Sequence, residues 1–378
     1  MTSESSRPRA QVPIVGIRWR PFRLPVRAPI ATAAGAIEAR EGILVELRDP
    51  EDRLGFGEAS PLPDGDGGLG EVLRLLGEWA PRVFAGEFAP AQPRSPAAAA
   101  LRCALDCARL DLNGRRRGRG ISALLGGVTR EVRVNAVIGD GPPDQVREQA
   151  AAAVAAGYDT IKLKVAAGPI EADRGRVEAV REAAPYARLR LDANGAWDVE
   201  TAAAAIRRLE HFDLEYVEQP VPADDLEGLA RLRAEGVCPI AADESAADRA
   251  SAKRVLDTGA ADVLVLKPMR VGGIRRALNL ARDASWGGVG CVVTTTFDSS
   301  LGVATALHLA AAVDALDAWG GFAHGLGTAE HLAADIIARP LVPRGGVLRM
   351  PRAPGLGVEP DGDALEAAAT GDWASLEG

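Results

Sequence analysis

From about residue 131 onward, short apolar runs alternate with longer stretches rich in alanine, arginine, glutamate and leucine. The runs have the length of buried strands, and the stretches between them have the length and composition of helices. Strands that alternate with helices predict βαβ units and a parallel sheet. Seven such units, with an eighth marginal strand near FAHGLGT, fit a TIM-type barrel better than an open sheet. The seven runs are VRVNAVIG, TIKLKV, RLRLDAN, LEYVEQP, PIAADES, DVLVLKP and GCVVTTTFD.

The first 130 residues lack this alternation and predict an accessory α+β domain. VGIRWRPFRLP and GILVELRD have the composition of strands, and GEASPLPDGDGGLG is a loop dense in turn-forming residues. A helix follows, with Ser95 and Pro96 as its start signal and Asn113-Gly114 as its stop. We therefore expect an α/β protein with three parts: the α+β domain at 1–130, a modified TIM barrel of the (β/α)7β type at 131–345, and a segment at 346–378 that packs back on the first domain and completes it.

Polar residues stand at the end of each apolar run. In a barrel the carboxyl ends of all strands share one rim, and active sites lie at that rim. The charged ends recur at intervals of 24 to 28 residues, about one βα unit, so successive strands deliver one polar group each to the same mouth. This regularity predicts a functional cluster. Its candidate members are Lys162, Lys164, Asp192, Asn194, Glu218, Asp243, Glu244, Lys267, Asp298 and Ser299.

Three carboxylates in this cluster indicate a metal ion. Asp192, Glu218 and Asp243 end three successive strands, and their charges would repel one another severely without a cation. Oxygen ligands alone suit Mg²⁺ or Mn²⁺, with positions left open for water and substrate. Zinc is disfavoured because no histidine or cysteine lies at these strand ends. The alternative is a structural cluster in which the carboxylates pair with arginines of neighbouring helices.

Two lysines share one face of the strand TIKLKV. Side chains alternate along a strand, so Lys162 and Lys164 point the same way, and like charges on an otherwise apolar strand cost stability. A lysine in a desolvated, cation-rich pocket has its pKa pushed toward neutrality and can act as a base, and Lys162 would exert that effect on Lys164. Lys267, on the strand that follows the carboxylates, would face Lys162 and Lys164 across the barrel mouth. The layout fits removal of a proton α to a carboxylate.

The composition and charge of the chain limit the classes of molecule that it can be expected to bind. The chain has 378 residues, 47% of them hydrophobic, and a formal net charge of −8. The acidic balance argues against nucleic acid or an anionic membrane as a partner, but it leaves room for a small anionic carboxylate substrate. Four cysteines are too few for a disulfide scaffold, and the N-terminus has no apolar signal-peptide core. We expect a cytoplasmic enzyme that is a monomer or a homo-oligomer.

Five motifs together resemble the enolase superfamily, specifically its muconate-lactonising subgroup: KLK, LDANGAW, VEQP, ADES and LKPMRVGG. The resemblance covers nearly the whole chain and implies that the N-terminal α+β domain is a capping domain over the barrel. It also implies that loops at 30–35 (IATAAG) and 55–63 (GFGEASPLP) close on the substrate.

The same resemblance implies a role for each polar strand end. Asp192, Glu218 and Asp243 would bind Mg²⁺, with Mn²⁺ as a substitute, while Lys164 would be the base and Lys267 would lie on the opposite face. The remaining implied roles are tuning of the base and contact with the substrate carboxylate by Lys162, and orientation of the ligands by Asn194 and Glu244.

Within the subgroup, TTTFDSSLGVATALHLAAAV and AHGLGTAEHLAADI resemble the o-succinylbenzoate synthases of menaquinone biosynthesis. These are hydro-lyases, and Asp298, Ser299 and Ser300 would then contact the substrate. N-succinylamino acid racemases and other epimerases or cycloisomerases are the alternatives, although HGLGT lacks the Asp-x-Asp that dipeptide epimerases usually carry at the eighth strand. His324 is either a substrate contact or a structural, hydrogen-bonded histidine.

Other functions fit the pattern less well. Acid-sugar dehydratases of the superfamily usually take a histidine base from the seventh strand, and no histidine ends that strand here. A Schiff-base aldolase built on Lys267 would leave the three carboxylates unexplained. A metal-binding scaffold without catalysis would bind Mg²⁺ but exchange no α-proton.

Overall fold

The computed structural model describes residues 12–32, 35–62, 68–87, 93–316 and 321–378. Within these ranges the strands form a four-stranded antiparallel sheet, a seven-stranded parallel sheet and a two-stranded pair. The strands are β1 (Gly16–Thr32), β2 (Gly35–Arg48), β3 (Leu54–Ala59), β4 (Glu131–Arg133), β5 (Ala136–Ile138), β6 (Thr160–Lys164), β7 (Arg188–Asp192), β8 (Leu214–Glu218), β9 (Ile240–Ala242), β10 (Val263–Leu266), β11 (Gly290–Val293), β12 (Val347–Arg349) and β13 (Ala374–Glu377). The α-helices are α1 (Gly68–Phe84), α2 (Pro96–Arg117), α3 (Ile121–Leu125), α4 (Pro143–Ala155), α5 (Ile170–Ala183), α6 (Val199–Leu209), α7 (Leu226–Glu235), α8 (Arg249–Thr258), α9 (Pro268–Val271), α10 (Ile274–Trp286), α11 (Ser300–Asp314) and α12 (Gly362–Ala368).

The four-stranded sheet joins the two ends of the described chain. Its order is β13-β1-β2-β3, and Gly16 pairs with Glu377. Helix α2 lies against β3 so closely that a Cβ on Gly57 would be 2.0 Å from the carbonyl oxygen of Ala104. The α+β domain completed by the C-terminal segment is therefore present as predicted, whereas the boundaries at 130 and 345 stay predictions.

The seven-stranded sheet curls into a barrel that an eighth segment closes. Strands β5 to β11 are neighbours in chain order and all run parallel. Residues 322–326 then lie between the two edges: Gly325 N donates to Val293 O at 2.9 Å, and His324 N donates to Arg133 O at 2.8 Å. The predicted (β/α)7β barrel, including its marginal eighth strand, is confirmed.

Alternation along the strands decides what faces the barrel interior. In β6, Ile161 and Leu163 are fully buried in the same apolar cluster as Val146 of α4 and Val177 of α5, so they face the helices. Each such side chain contributes about 1.5–3 kcal/mol of burial energy, which holds the strand in this register. Lys162 and Lys164 are thereby directed to the interior. A separate apolar cluster fills the barrel below them: Tyr216, Ala241, Val263, Val265, Val292 and Phe322.

Helix α2 runs past its predicted stop. Ser95 caps the start as expected, because its side chain accepts a hydrogen bond from Ala98 N, but the helix continues beyond Asn113-Gly114 to Arg117. It ends at Gly118, whose φ of 61° is the left-handed conformation that glycine adopts most easily. Gly114 serves packing instead, since a Cβ there would lie 2.6 Å from Gly355 Cα.

The cysteines and the helices agree with the composition. Cys103, Cys107, Cys238 and Cys291 are buried and form no disulfide. In the part of the chain that the structure describes, no helix combines the length and the apolar character needed to cross a membrane.

Candidate active site

The predicted carboxylates meet at the carboxyl ends of the barrel strands. Strand register pairs Lys164 with Asp192 and Asp192 with Glu218, so these three side chains share the inner face. Glu218 is level with Ala241 of β9, and Asp243 follows two residues later on the same face. Lys267 comes directly after β10. The side chains that the sequence predicted for one rim are therefore brought together.

Two lysines contact the three carboxylates from opposite ends of the row. Lys162 Nζ lies 2.9 Å from Asp192 Oδ2 and 2.7 Å from Glu218 Oε1. Lys267 Nζ lies 2.7 and 2.5 Å from the two carboxylate oxygens of Asp243. All three carboxylates are buried, so these ion pairs are poorly screened by solvent.

The electrostatics of the cluster are dominated by its carboxylates. Burial lowers the pKa of Lys162, but the charges of Asp192 and Glu218 overcome it and raise that pKa well above its ordinary value. The pKa of Lys267 is likewise raised, because Asp243 outweighs the effect of burial. The sequence argument expected Lys162 to lower the pKa of its neighbour Lys164, which stays a prediction. The rise at Lys162 and Lys267 has its own cause, since each of these ammonium groups is in contact with carboxylates.

Negative charge nevertheless remains in excess. Burial raises the pKa of Glu218 to about 8; the Lys162 ammonium opposes this shift, and the Asp192 and Asp243 charges reinforce it. Against the effect of burial, the charges of Lys162 and Lys164 lower the pKa of Asp192, and Glu244 adds a fourth carboxyl group beside the three. The four carboxyl groups therefore outnumber the ammonium groups of Lys162, Lys164 and Lys267. A further cation at this position would favour the ionised form of Glu218.

Asn194 and Glu244 lie next to the carboxylates that they were predicted to orient. Asn194 Nδ2 donates to Glu244 Oε1 at 3.1 Å, and Asn194 N donates to Asp192 Oδ1 at 3.1 Å. Asn194 has φ of 45°, a left-handed conformation that asparagine tolerates better than most residues. Glu244 Oε2 is buried without a hydrogen-bond partner among the described residues.

The donor set fits a hard divalent cation, although the lysines hold the carboxylates now. Across the described ranges, no three acidic, histidine or cysteine side chains are arranged to hold a metal ion as they stand. Asp192, Glu218 and Asp243 each contact an ammonium group instead. Their oxygens are the ligands that Mg²⁺ and Mn²⁺ prefer, and the unpartnered oxygen of Glu244 lies beside them.

Gln219 supports the site and was given no role from the sequence. Its Oε1 accepts from Asp243 N at 3.1 Å and from Ser245 N at 3.0 Å, while its Nε2 donates to Val221 O at 2.8 Å. The side chain is fully buried and ties the backbone that carries Glu218 to the backbone that carries Asp243. The sequence signal for this role was the position of Gln219, a polar residue between the strand-end Glu218 and Pro220.

Arg190 was also missed. It lies two residues before Asp192 on the inner face, level with Lys162, and its side chain is completely buried. Its guanidinium bonds to Glu215 at 2.5 Å and to Ala323 O at 2.7 Å, so it crosses the barrel from the third strand to the eighth. The alternation in RLRLD places this charge inside the barrel, which was readable from the sequence.

Asp298, Ser299 and Ser300 follow β11, and their polar groups bond to the protein. Asp298 accepts from Thr296 Oγ1 at 2.5 Å, and Ser299 caps α11 by accepting from Leu301 N at 3.1 Å. Ser300 Oγ donates to Asp335 Oδ2 at 2.6 Å. Substrate contact by these three residues stays a prediction.

His324 is held on both sides of its ring. Nδ1 accepts from Val293 N at 2.9 Å, so Nε2 carries the proton and donates to Asp314 Oδ1 at 3.0 Å. The ring has no exposed surface. Of the two roles weighed for this residue, the geometry favours the structural one, as a link between the eighth strand and β11.

The two predicted lids are not loops throughout. Residues 55–59 belong to β3, residues 30–32 to β1 and residue 35 to β2, because these segments pair within the capping sheet. Residues 33–34 and 63–67, within or next to the predicted lids, lie outside the described residues.

Comparison with known proteins agrees with this architecture. The chain matches the family model described as Enolase C-terminal domain-like over residues 145–364. An o-succinylbenzoate synthase from Thermobifida fusca is 46% identical over 225 residues, which are 58% of this chain and 67% of that protein. The crystal structure of an N-succinyl Arg/Lys racemase from Bacillus cereus is similar with a TM-score of 0.84 and 25% identity, over 97% of this chain and 100% of that one.

A third similar protein has been crystallised with a metal ion. The dipeptide epimerase from Enterococcus faecalis, whose crystal structure is a complex with Mg and the dipeptide L-Leu-L-Tyr, has a TM-score of 0.82 and 30% identity over 92% of this chain and 99% of that one. Because the family model spans more than half of the chain, the protein belongs to the enolase superfamily, in its muconate-lactonising subgroup. The three relatives are enzymes that catalyse different reactions, so the particular reaction needs its own argument.

Proposed function

We propose that the protein is a metal-dependent hydro-lyase, an o-succinylbenzoate synthase. It would convert the small anionic substrate 2-succinyl-6-hydroxy-2,4-cyclohexadiene-1-carboxylate to 2-succinylbenzoate, a step of menaquinone biosynthesis. The observation that carries the proposal is the row of three buried carboxylates with a lysine at each end. The 46% identity to the Thermobifida fusca synthase, over 58% of this chain, supports this reaction.

The metal site of the proposal consists of Asp192, Glu218 and Asp243. Mg²⁺, or Mn²⁺ in its place, would supply electrostatic stabilisation of the substrate carboxylate as it becomes an enediolate. Asn194 holds Asp192 through its backbone N–H, and Gln219 holds the backbone of Asp243. These contacts fix the directions of the ligand oxygens.

The two lysines divide the remaining work. Lys164 shares the inner face of β6 with Lys162 and is level with Asp192. In the proposal it takes the α-proton, the C–H electron pair forms the new double bond, and the C–O bond breaks on the same face. The departing hydroxide takes the proton back from Lys164 and leaves as water. Lys267 stays charged beside the developing negative charge, by cation–π contact with the dienolate.

A racemase acting on N-succinylamino acids is the second candidate. The likeness to the Bacillus cereus racemase spans nearly the whole chain, and a lysine on each side of the carboxylates would suit proton transfer on both faces of a substrate. A dipeptide epimerase is less well supported, because residues 322–326 offer no carboxylate to a substrate ammonium group.

The test is a direct assay of the purified protein with Mg²⁺. Formation of 2-succinylbenzoate would be followed in parallel with deuterium incorporation into N-succinylamino acid enantiomers in D₂O. We expect rapid dehydration. If the protein exchanges the α-proton but does not dehydrate the substrate, the racemase replaces the proposed function. If neither reaction is observed, the protein is a metal-binding scaffold without catalysis.

A further inference from the structure

Glu58 reaches from the capping sheet into the barrel. It lies in β3, is 2% exposed, and is 241 residues away in sequence from the serine that it contacts. Its Oε1 accepts from Ser299 N at 3.2 Å and from Ser60 Oγ at 2.7 Å. Its Oε2 accepts from Gly302 N at 3.0 Å and from Ser299 Oγ. One carboxylate of the capping domain thus holds the first turn of α11, directly after the seventh barrel strand.

A helix N-terminus attracts an anion, because its first N–H groups lack partners within the helix. Ser299 already supplies the usual cap, since its Oγ accepts from Leu301 N. Glu58 takes the N–H groups of Ser299 and Gly302 in addition. A structural cap would need nothing more, yet a second acid is buried beside it.

That second acid is Asp298. It is 1% exposed, and Gly302 is needed for it to fit, because a Cβ on Gly302 would lie 2.4 Å from the Cβ of Asp298. Burial, and then the charge of Glu58, raise the pKa of Asp298 to about 7. A negative charge on Asp298 would repel the Glu58 carboxylate, because burial leaves little solvent to screen the two groups.

The same cluster holds the root of a predicted lid. Arg40 of β2 donates from Nη2 to Ser60 O at 2.5 Å and from Nη1 to Pro61 O at 3.1 Å. Ser60 in turn donates its hydroxyl to Glu58. The chain leaving β3 toward residue 63 is therefore fixed at the point where the capping domain meets the loop after β11.

We infer that Glu58 is a positioning residue for the barrel mouth: through Ser299 and Ser60 it holds the β11–α11 loop and the chain that leaves β3 together. A negative charge on the neighbouring Asp298 would repel the Glu58 carboxylate and weaken these contacts. Asp298 and Ser299 are the residues predicted to contact substrate, so their placement governs substrate binding. Lys162 and Lys267 lie on other strands and contact the carboxylates of Glu218 and Asp243.

Other charged or titratable groups face the pair from each neighbouring element. Arg40 comes from β2 and favours ionised Asp298. Cys103 comes from α2, and Asp335 lies between the eighth strand and β12. Burial raises the pKa values of Cys103 and Asp335, and the charge of Glu58 contributes to raising each. The rise favours their neutral forms, so burial limits the negative charge that either group adds beside the pair.

Amide hydrogen exchange tests the inference without any substrate. The N–H groups of Ser299 and Gly302 are the donors to Glu58, so their protection, corrected for intrinsic exchange, reports the contact. We expect it to fall at least tenfold between pH 6 and pH 8 in the unmodified protein, and to stay constant in Asp298→Asn. Equal pH dependence in both proteins would overturn the role of Asp298.

Glu58→Gln should lower this protection at every pH, because the amide replaces an anion and brings donors toward backbone N–H groups. Glu46→Gln is the matched control: Glu46 is a buried glutamate of the same sheet, bonded to Arg18 and not to the barrel. Equal protection in the two variants would overturn the role of Glu58. If Glu58→Gln does not fold, the pH comparison with Asp298→Asn decides alone.

Substrate kinetics provide a second readout, which rests on the proposed function. Glu58→Gln should raise KM at least tenfold and change kcat less than threefold, whereas Glu46→Gln should change neither. A loss of kcat with KM unchanged would contradict a positioning role at the mouth. If no turnover is found with any substrate, the proposed function fails while the exchange measurements still decide the role of Glu58.

Discussion

Lys267 Nζ lies 2.7 and 2.5 Å from the two carboxylate oxygens of Asp243, so a lysine and an aspartate that end neighbouring barrel strands form one buried ion pair. In the proposed function the same carboxylate would be a ligand of the divalent cation. Asp243 would then link the metal site to the lysine that stays charged beside the developing negative charge.

Asp243→Asn should weaken Mg²⁺ binding and reduce turnover by at least about a hundredfold, since supporting contacts to a metal ligand already account for about tenfold to a hundredfold. Calorimetric titration with Mg²⁺ and steady-state assays measure the two effects, and circular dichroism should show an unchanged fold. Asp198→Asn, at the exposed start of α6, is the control and should behave like the unmodified protein. Full activity of the unmodified protein in excess EDTA would refute the metal assignment.

Lys164→Ala should abolish dehydration, because the same side chain must take the α-proton and return it to the leaving group. Dehydration that survives this substitution would remove Lys164 from the role of base. Product formation is measured under single-turnover conditions, so that slow product release cannot hide the chemistry.

Lys267→Arg should retain measurable dehydration and lose any racemisation. A guanidinium keeps the positive charge and can bond both oxygens of Asp243, but it does not give up a proton near neutral pH. Dehydration and deuterium exchange of N-succinylamino acids should be measured on the same preparation. Racemisation that persists in this variant would show that Lys267 is not one of two proton-transferring groups.

Asp298 should make the protein less stable as the pH rises. Its pKa is 3.8 in ordinary surroundings and about 7 here, so between about pH 4 and pH 7 the folded protein holds a proton that the unfolded chain has lost. The free energy of unfolding then falls by up to about 1.4 kcal/mol per pH unit and levels off above pH 7. Urea unfolding should show this slope in the unmodified protein relative to Asp298→Asn. Parallel curves would contradict it.

His308 should lower the stability of the protein as the pH falls, which is the opposite pH dependence. Burial lowers its pKa from 6.5 to about 4, because Nδ1 accepts from Ser122 N and the ring has almost no contact with water. Between about pH 6.5 and pH 4 the unfolded chain binds a proton that the folded protein does not, so stability is lost as the pH falls. His308→Asn should flatten the acid side of the unfolding curve. An unchanged acid slope would contradict the assignment.

The barrel and the row of carboxylates could be predicted because both depend on periods within the sequence. An apolar run with a polar end recurs once per βα unit, and parallel strands place those ends on one rim. Lys162, Asp192, Glu218 and Asp243 were found in this way.

Contacts between distant parts of the chain could not be predicted, because they produce no repeating pattern in the sequence. Glu58 is followed by ordinary loop residues, and nothing near it in sequence indicates that it bonds to Ser299. The end of α2 was placed too early because Asn113-Gly114 has the composition of a stop, while the need for a glycine at 114 comes from Gly355. The lysine pKa values depend on distances to carboxylates, which a linear pattern does not contain.

The pairing of β13 with β1 has a consequence for biosynthesis. During translation β1 is made long before β13, so one edge of the capping sheet stays unpaired until Ala374–Glu377 has been synthesised. An exposed strand edge invites association with other chains, and charged residues or prolines along the edge discourage it. Strand β1 carries several of both, among them Arg18, Arg20, Arg23, Pro21 and Pro25. These residues therefore disfavour aggregation of the nascent chain through this edge before β13 has been synthesised.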